Sequence, residues 1–171
     1  MDLGIRGKHA LITGGTRGIG KATAQMLARE GCNVAVAARH LDLNFQDALR
    51  SQDVAAYSLI WDALVPGESA RLVGWLSEKG PTIDILVNNV GGGGRWGAEL
   101  HDTPEEVWEE VWTKNFRVAR DLTRLLLPRM REQGWGRVVT VSSLHGREGS
   151  PMAKPWFLTA KAAEIALMKS L

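Results

Sequence analysis

Short apolar segments alternate with amphipathic ones along most of this chain. Runs of small or branched apolar residues predict β-strands over 8–13, 33–38, 54–61, 83–88 and 137–142. Apolar residues at helical spacing predict helices over 21–30, 41–51, 66–79, 104–133, and from 153 or 156 to 171. We expect Thr103 to be the N-cap of the long helix 104–133, with Pro104 in the first turn and Glu106 at the capping-box position.

The alternation of strands and helices predicts the architecture. The predicted strands are apolar throughout, which is typical of strands that are buried on both faces of a sheet. The pattern therefore predicts an α/β fold, with a doubly wound parallel sheet between two helical layers. The last predicted helix continues to Leu171 without a cap, so we expect residues 1–171 to form one domain that is incomplete at its C-terminus.

Composition narrows the class of protein. Hydrophobic residues make up 44% of the 171 residues and charged residues 23%, as in ordinary globular proteins. A net charge of +2 gives no reason to expect nucleic acid or an acidic membrane as a partner. The single cysteine, Cys32, excludes an internal disulfide, and no set of histidines has metal-ligand spacing. With no signal peptide and no long apolar segment, we expect a soluble cytoplasmic protein.

A glycine-rich turn, TGGTRGIG, follows the first predicted strand and leads into the first predicted helix. It contains Gly14, Gly15, Gly18 and Gly20. Glycines at such a turn let the backbone approach a pyrophosphate closely, and the helix N-terminus offers free N–H groups to it. The spacing G-x-x-x-G-x-G is not that of a P-loop. The turn therefore predicts a dinucleotide site, and the alternative is a structural turn that binds nothing.

Two arginines determine which cofactor is predicted. An acidic residue after the second strand would accept hydrogen bonds from the ribose hydroxyls of NAD, but this chain has Arg39 there. Arginine favours a 2′-phosphate through charge-assisted contacts, and Arg17 in the glycine-rich turn favours it too. NADP(H) is the predicted cofactor, unless both arginines are simply solvated surface charges.

Several motifs in order resemble the short-chain dehydrogenase/reductase family. They are TGGTRGIG at 13–20, Asp62, NNVG at 88–91, Asn115, Ser142-Ser143 and Lys161. The resemblance implies a Rossmann fold and hydride transfer between NADP(H) and a small carbonyl or alcohol substrate. It also implies a homodimer or homotetramer assembled through the long helix 104–133.

The resemblance implies a role for each matching residue. Asn115 would anchor a water in a proton relay, Ser143 would hold the substrate oxygen, and Lys161 would bind the nicotinamide ribose. Asp62 would contact the adenine, while Asn88 and Asn89 would secure the sheet beside the cofactor. The implied cofactor-binding residues are Gly14, Thr16, Arg17, Gly18, Ile19, Gly20, Arg39, Asp62, Asn89, Gly91 and Lys161.

One position departs from the family pattern. The family's proton donor is a tyrosine four residues before the lysine, and here that position is Phe157. The only tyrosine, Tyr57, lies in the third predicted strand. Three explanations stay open: His145, Lys161 or a relayed water supplies the proton; the chain is a non-catalytic NADP-binding sensor or interaction protein; or Ser143 polarises the carbonyl and the proton comes from water.

Aromatic residues mark the predicted substrate side. We expect Trp96 and Trp156 to form walls of the substrate pocket, beside Ser143 and His145. Trp108 and Trp112 lie four residues apart on the long helix, so they should share a face that packs in the core or between subunits.

Overall fold

A parallel β-sheet forms the centre of the computed structural model, which describes residues 3–79, 82–93, 99–149 and 153–171. Its strands are β1 (His9–Thr13), β2 (Asn33–Ala38), β3 (Ala56–Ile60), β4 (Ile85–Asn88) and β5 (Arg137–Thr140). All neighbours are parallel, in the order β3-β2-β1-β4-β5. The register places Leu11 beside Ala35 on one side and Leu86 on the other.

Helices cover both faces of the sheet. They are α1 (Gly18–Arg29), α2 (Leu43–Arg50), α3 (Glu68–Lys79), α4 (Glu105–Trp112), α5 (Val118–Glu132), α6 (Leu144–Arg147) and α7 (Pro155–Lys169). A short 3₁₀ helix, Leu100–Asp102, precedes α4, and a π-helical turn, Thr113–Arg117, joins α4 to α5.

The core consists of two apolar layers, one on each face of the sheet. Ala10 and Ile12 of β1 pack with residues of α1 and α2, whereas Leu11 between them packs with residues of α3 and α5. This alternation follows from the two-residue period of a strand, and it explains why most buried strand positions are apolar. Thr13 and Asn88, at the carboxyl ends of β1 and β4, are buried polar exceptions. The predicted fold, a doubly wound parallel sheet with helices on both faces, is confirmed.

The strand order positions the site. The chain passes outward from β1 to β2 and β3, and then crosses to the other side of β1 to form β4. The loops after β1 and β4 therefore diverge at the carboxyl edge of the sheet and leave a crevice between them. Ligands of doubly wound sheets bind at this kind of position.

The long predicted helix differs from expectation in two ways. Thr103 is not its N-cap: the Thr103 hydroxyl donates to the carbonyl of Glu99 at 2.7 Å, and α4 begins after Pro104. The helix is also interrupted by the π-helical turn Thr113–Arg117, which widens the backbone around Asn115.

Smaller differences lie near the other strand and helix ends. The helix predicted from residue 21 begins at Gly18, because the glycine-rich turn leads directly into α1. The last strand ends at Thr140, and α6 occupies part of the segment that was predicted to be a loop. Within the described ranges, no helix is both long enough and apolar enough to cross a lipid bilayer.

Candidate functional site

A cleft of about 600 Å³ lies at the carboxyl edge of the sheet, beside the loops after β1, β2, β3 and β4. Of the predicted cofactor-binding residues, all except Gly20 and Lys161 line it. The cleft is also lined by residues that the sequence analysis did not select, among them Ala38, His40, Val90, Glu110 and Lys114. The predicted set is therefore gathered around one cavity by the strand order.

The glycine-rich turn is held tightly against the end of β4. The side-chain amide of Asn89 donates to the carbonyls of Thr13 at 2.9 Å and Gly14 at 3.3 Å. A Cβ atom on Gly20 would lie 2.5 Å from both the Asn89 amide nitrogen and the Gly14 carbonyl oxygen. Gly14 adopts a φ of +65°, a conformation that side-chain-bearing residues rarely take. Glycine is therefore required here so that the turn can pack.

The N-terminus of α1 suits the phosphates of a dinucleotide. Its N-cap is Arg17, and no capping side chain accepts a hydrogen bond from the first-turn N–H groups. Gly18, the first residue of α1, has no atom within 4 Å of the position that a Cβ would take. An anion can therefore reach these backbone donors, which carry the positive end of the helix dipole.

Arg17 and Arg39 border the same cleft from different loops. Both side chains are exposed, and neither forms an ion pair within the part of the chain that the structure describes. Asp62 faces the cleft after β3, where its carboxylate accepts a hydrogen bond from the Leu64 N–H at 3.0 Å. Because no described acidic side chain neutralises either guanidinium group, this end of the cleft is basic.

Asn115 is fully buried inside the π-helical turn. Its side-chain oxygen accepts from the Gly92 N–H at 3.0 Å, and its amide donates to the carbonyls of Gly92 at 3.0 Å and Val111 at 2.7 Å. These bonds connect the chain after β4 to the last turn of α4 through the Asn115 side chain. π-helical turns of this kind occur frequently at functional sites.

Asn115→Leu should lower the free energy of unfolding by about 2–4 kcal/mol. The substitution leaves backbone groups of Gly92 and Val111 without partners, and each unsatisfied buried group costs about 1–3 kcal/mol. Urea unfolding of the variant and the wild type measures the difference. Asn115→Asp should be destabilised as well, because a carboxylate oxygen would face the carbonyls of Gly92 and Val111 where the amide donates now. Equal stability of all three proteins would contradict the prediction.

Lys161 lies beside Asn115 and Gly91 although it does not line the cleft itself. Its ammonium donates to the carbonyl of Val141 at 3.0 Å. A Cβ on Gly91 would lie 3.0 Å from the Lys161 nitrogen and 2.6 Å from the Asn115 side-chain oxygen. Because Gly91 lacks that atom, both polar side chains can approach its backbone, beside the cleft that Gly91 lines.

The sequence analysis missed a buried partner of Lys161. The Lys161 ammonium lies 2.8 Å from a carboxylate oxygen of Glu164, and the two side chains are only 5% and 1% exposed. Burial raises the pKa of Glu164, and the neighbouring Lys161 ammonium offsets part of that effect. The signal in the sequence is a Lys-x-x-Glu spacing on a helix, which also occurs in many surface pairs.

Glu164 should make the stability of the chain depend on pH. Because burial raises its pKa in the folded state above the ordinary 4.5, the folded chain holds this proton more tightly than the unfolded chain. The free energy of unfolding should therefore fall, relative to that of Glu164→Gln, as the pH rises from 4.5 through the folded-state pKa. Urea unfolding of both proteins across this range tests the prediction, and parallel curves would contradict it.

The residues after β5 attach α6 to α7. The Ser142 hydroxyl donates to the Lys161 carbonyl at 3.1 Å, and the Ser143 hydroxyl accepts from the His145 N–H at 3.2 Å as the N-cap of α6. A Cβ on Gly146 would lie 2.6 Å from the Lys161 carbonyl carbon. Ser143 therefore caps a helix in this structure, and the close packing of Gly146 brings it and His145 near Lys161.

The aromatic residues of α7 differ in their surroundings. Trp156 is fully buried with Val107 and Val111, and its indole N–H donates to the Gly93 carbonyl at 2.9 Å. Trp156 therefore holds the chain after β4 in place by a hydrogen bond from the interior. It was expected to form a wall of the substrate pocket, but a fully buried side chain lines no pocket. Phe157 is half-buried, with its ring 5.9 Å from the Lys161 nitrogen. Trp96, the other expected wall, lies outside the described residues.

Trp108 and Trp112 pack against different partners. Trp108 contacts Trp156 edge to face, with ring centroids 6.0 Å apart. Trp112 packs on Phe116 of the π-helical turn at 4.8 Å. The interior packing that was expected of the helix is therefore found for Trp108.

Comparison with known proteins places these features in a family. A family model described as short chain dehydrogenase matches residues 8–171. D-beta-hydroxybutyrate dehydrogenase of Rhizobium meliloti strain 1021 is 31% identical over 96% of this chain. The chain covers 64% of the length of that relative.

Solved structures with the same fold contain nicotinamide cofactors. L-Sorbose reductase of Gluconobacter frateurii, in complex with NADPH and L-sorbose, is 30% identical with a TM-score of 0.91, over 99% of this chain and 65% of that one. A NAD⁺-bound xylitol dehydrogenase is also 30% identical, with a TM-score of 0.87 over 97% of this chain and 64% of that one. Close structural likeness therefore extends to proteins that bind either cofactor.

Proposed function

Because this chain belongs to the short chain dehydrogenase family, we propose that it is an NADP(H)-dependent oxidoreductase that acts on a small carbonyl or alcohol substrate. The cofactor would supply or accept the hydride. The observation that carries the proposal is the convergence of Asn115 and Lys161 on Gly91, at the inner end of a cleft built for a dinucleotide.

Each part of the cleft has a proposed task. The backbone donors at Gly18 to Gly20 bind the pyrophosphate, Asp62 contacts the adenine, and Lys161 binds the nicotinamide ribose. Asn115 holds its loop in place and anchors a water. Ser143 and His145 serve the substrate side, and Ser143 holds the substrate oxygen while charge develops on it.

Binding and turnover test the proposal separately. Titration of the chain with NADPH, followed by the fluorescence of the cofactor, should show saturable binding. Absence of binding at millimolar NADPH would overturn the proposal. Turnover is measured with NADPH and L-sorbose, and with NADP⁺ and D-β-hydroxybutyrate or xylitol, because relatives act on these compounds.

A second candidate function rests on Phe157. Since phenylalanine has no proton to donate, the chain is alternatively a non-catalytic NADP-binding sensor or interaction protein. Saturable NADPH binding without oxidation of NADPH by any carbonyl compound in a broad panel would favour this second function.

Arg39→Ala should weaken NADPH binding by about 10–100-fold and leave NADH binding nearly unchanged. A charge-assisted hydrogen bond to a phosphate contributes about 1.5–3 kcal/mol, and NADH lacks the 2′-phosphate. Fluorescence titration with both cofactors measures the effect. Arg29→Ala, at the far end of α1, is the matched control. If NADPH and NADH lose affinity equally in Arg39→Ala, the NADP(H) assignment is wrong.

We also propose that the chain assembles through the long helix 104–133 as a homodimer or homotetramer. Support comes from apolar side chains that this helix leaves partly exposed, such as Leu125 at 36%. Sedimentation equilibrium of the wild type and Leu125→Glu tests the assembly, since a charge in the interface should shift the protein to monomer.

A further inference from the structure

The ion pair between Lys161 and Glu164 is the most deeply buried pair of charges that the structure describes. Both side chains come from α7, three residues apart. A second pair of the same spacing, Arg129 and Glu132 on α5, is exposed to 61% and 68%. The spacing alone therefore does not explain the burial of the first pair.

The Glu164 side chain is buried on a helix that neighbouring elements cover. Elements α4, α6 and the π-helical turn all pack against α7. Removing a carboxylate from water is costly unless hydrogen bonds and an opposite charge compensate. Here the compensating charge is the Lys161 ammonium, 2.8 Å from the carboxylate.

The pair leaves one donor of Lys161 for the cleft. An ammonium group has three N–H donors and no acceptor. One lies against Glu164 at 2.8 Å, and another donates to the Val141 carbonyl at 3.0 Å. The nitrogen also lies 3.0 Å from the position of the missing Cβ of Gly91, so the remaining donor has open space on that side.

We propose that Glu164 is a positioning residue for Lys161, whose buried carboxylate keeps the ammonium charged and directs its third N–H toward the cofactor end of the cleft. The proposal rests on the proposed function, because the task of Lys161 is to bind the cofactor. A tyrosine hydroxyl would share this region in relatives of the family, but Phe157 offers Lys161 only a ring face at 5.9 Å. Because phenylalanine carries no hydroxyl, Glu164 is the acidic group that Lys161 contacts in the described part of the chain.

Other charged groups near α7 have partners or lie on the surface. Lys114 pairs with Glu110, Arg117 with Glu109, and Arg147 with Glu148. The titratable and charged side chains of the packed elements are Glu105, Glu106, Glu109 and Glu110 of α4, Lys114 and Arg117 of the π-helical turn, Arg120, Asp121, Arg124, Arg129, Arg131 and Glu132 of α5, His145 and Arg147 of α6, and Lys169 of α7. Of the charged groups, Lys161 is the one that acts on the Glu164 carboxyl.

The test follows the charge of Lys161 directly. Protein labelled with ¹³C at lysine Cε is titrated by NMR without cofactor, and Lys161→Arg assigns the resonance. In Glu164→Gln, the Lys161 resonance should follow a different pH dependence from that of the wild type, since the charge-assisted contact with the carboxylate is removed. Glu164→Asp should restore part of the difference, and Glu132→Gln, from the exposed pair, should cause none.

Cofactor affinity gives a second measurement. NADPH binding should weaken about tenfold or more in Glu164→Gln, and the loss should increase as the pH rises. If NADPH binds equally well to both proteins and the Lys161 titration is unchanged, the proposal is overturned and the carboxylate is purely structural. If the wild type binds no NADPH, the proposed function fails, while the lysine titration still decides whether Glu164 holds Lys161.

A measurement on the wild type alone tests the proposal if Glu164→Gln does not fold. The carboxyl carbon of Glu164 and the Cε of Lys161 are followed together across the pH range in the unaltered chain. Coupled steps in both resonances support the proposal, because interacting groups titrate as a pair. Independent titration of the two groups would overturn it.

Discussion

Phe157→Tyr should increase the rate constant of carbonyl reduction by about 10²–10⁴-fold, the range that a positioned general acid contributes. Position 157 lies one helical turn before Lys161, so both side chains are on the same face of α7. The Phe157 ring is already 5.9 Å from the Lys161 nitrogen. A hydroxyl on that ring would lie near a cation that favours loss of its proton. Initial rates of NADPH oxidation with a reducible ketone measure the effect.

Two controls separate proton donation from other consequences of the added hydroxyl. Phe157→Tyr combined with Lys161→Met should lose most of the gain, because the phenol then lacks its neighbouring charge. Phe116→Tyr adds a hydroxyl to a different aromatic residue and should leave the rate unchanged. If Phe157→Tyr folds and binds NADPH but reduces ketones no faster than the wild type, the missing phenol is not what limits the reaction.

Gly20→Ala should weaken NADPH binding by about 10–100-fold. The added methyl would lie 2.5 Å from both the Gly14 carbonyl oxygen and the Asn89 amide. Backbone at this turn must shift to relieve the overlap, and overpacking of this kind costs about 1–3 kcal/mol. The shift displaces the phosphate-binding N–H groups, so the loss appears in cofactor affinity measured by fluorescence titration.

Gly74→Ala is the matched control for this prediction. Gly74 lies in α3, and the position of its Cβ has no atom within 4 Å, so the methyl adds helix propensity without overlap. Circular dichroism establishes that both variants are folded. Unchanged NADPH affinity in Gly20→Ala would show that the turn accommodates a side chain, and that its glycines do not serve the close approach we propose.

Most of the fold could be predicted from the sequence because the sheet has a strong local signature. The predicted strand 33–38 coincides with β2 (Asn33–Ala38), since its five buried positions form a continuous apolar run. The glycine-rich turn is equally local, because its backbone conformation and close packing require glycine. Element ends were less predictable: Thr103 has the residue type of an N-cap, but its hydroxyl bonds to Glu99 instead.

The inner part of the site could not be predicted because it depends on packing between distant segments. The motif identified Asn115, but it did not predict the π-helical turn that buries this residue. The spacing of apolar residues across this turn is the same as in an ordinary helix. Trp156 was expected to face a substrate, and it is instead buried against α4. An aromatic residue in sequence does not reveal which side of its helix faces the interior.

The sequence by itself determined the sheet, the glycine-rich turn and the absence of a tyrosine at position 157, because each depends on residue type at one place in the chain. Only the tertiary structure decided that Lys161 and Glu164 form a buried pair. The same spacing gives an exposed pair at Arg129 and Glu132. The difference arises because α4, α6 and the π-helical turn pack against α7. That packing removes the Lys161–Glu164 pair from solvent and leaves it beside the candidate site, whereas the Arg129–Glu132 pair stays on the surface.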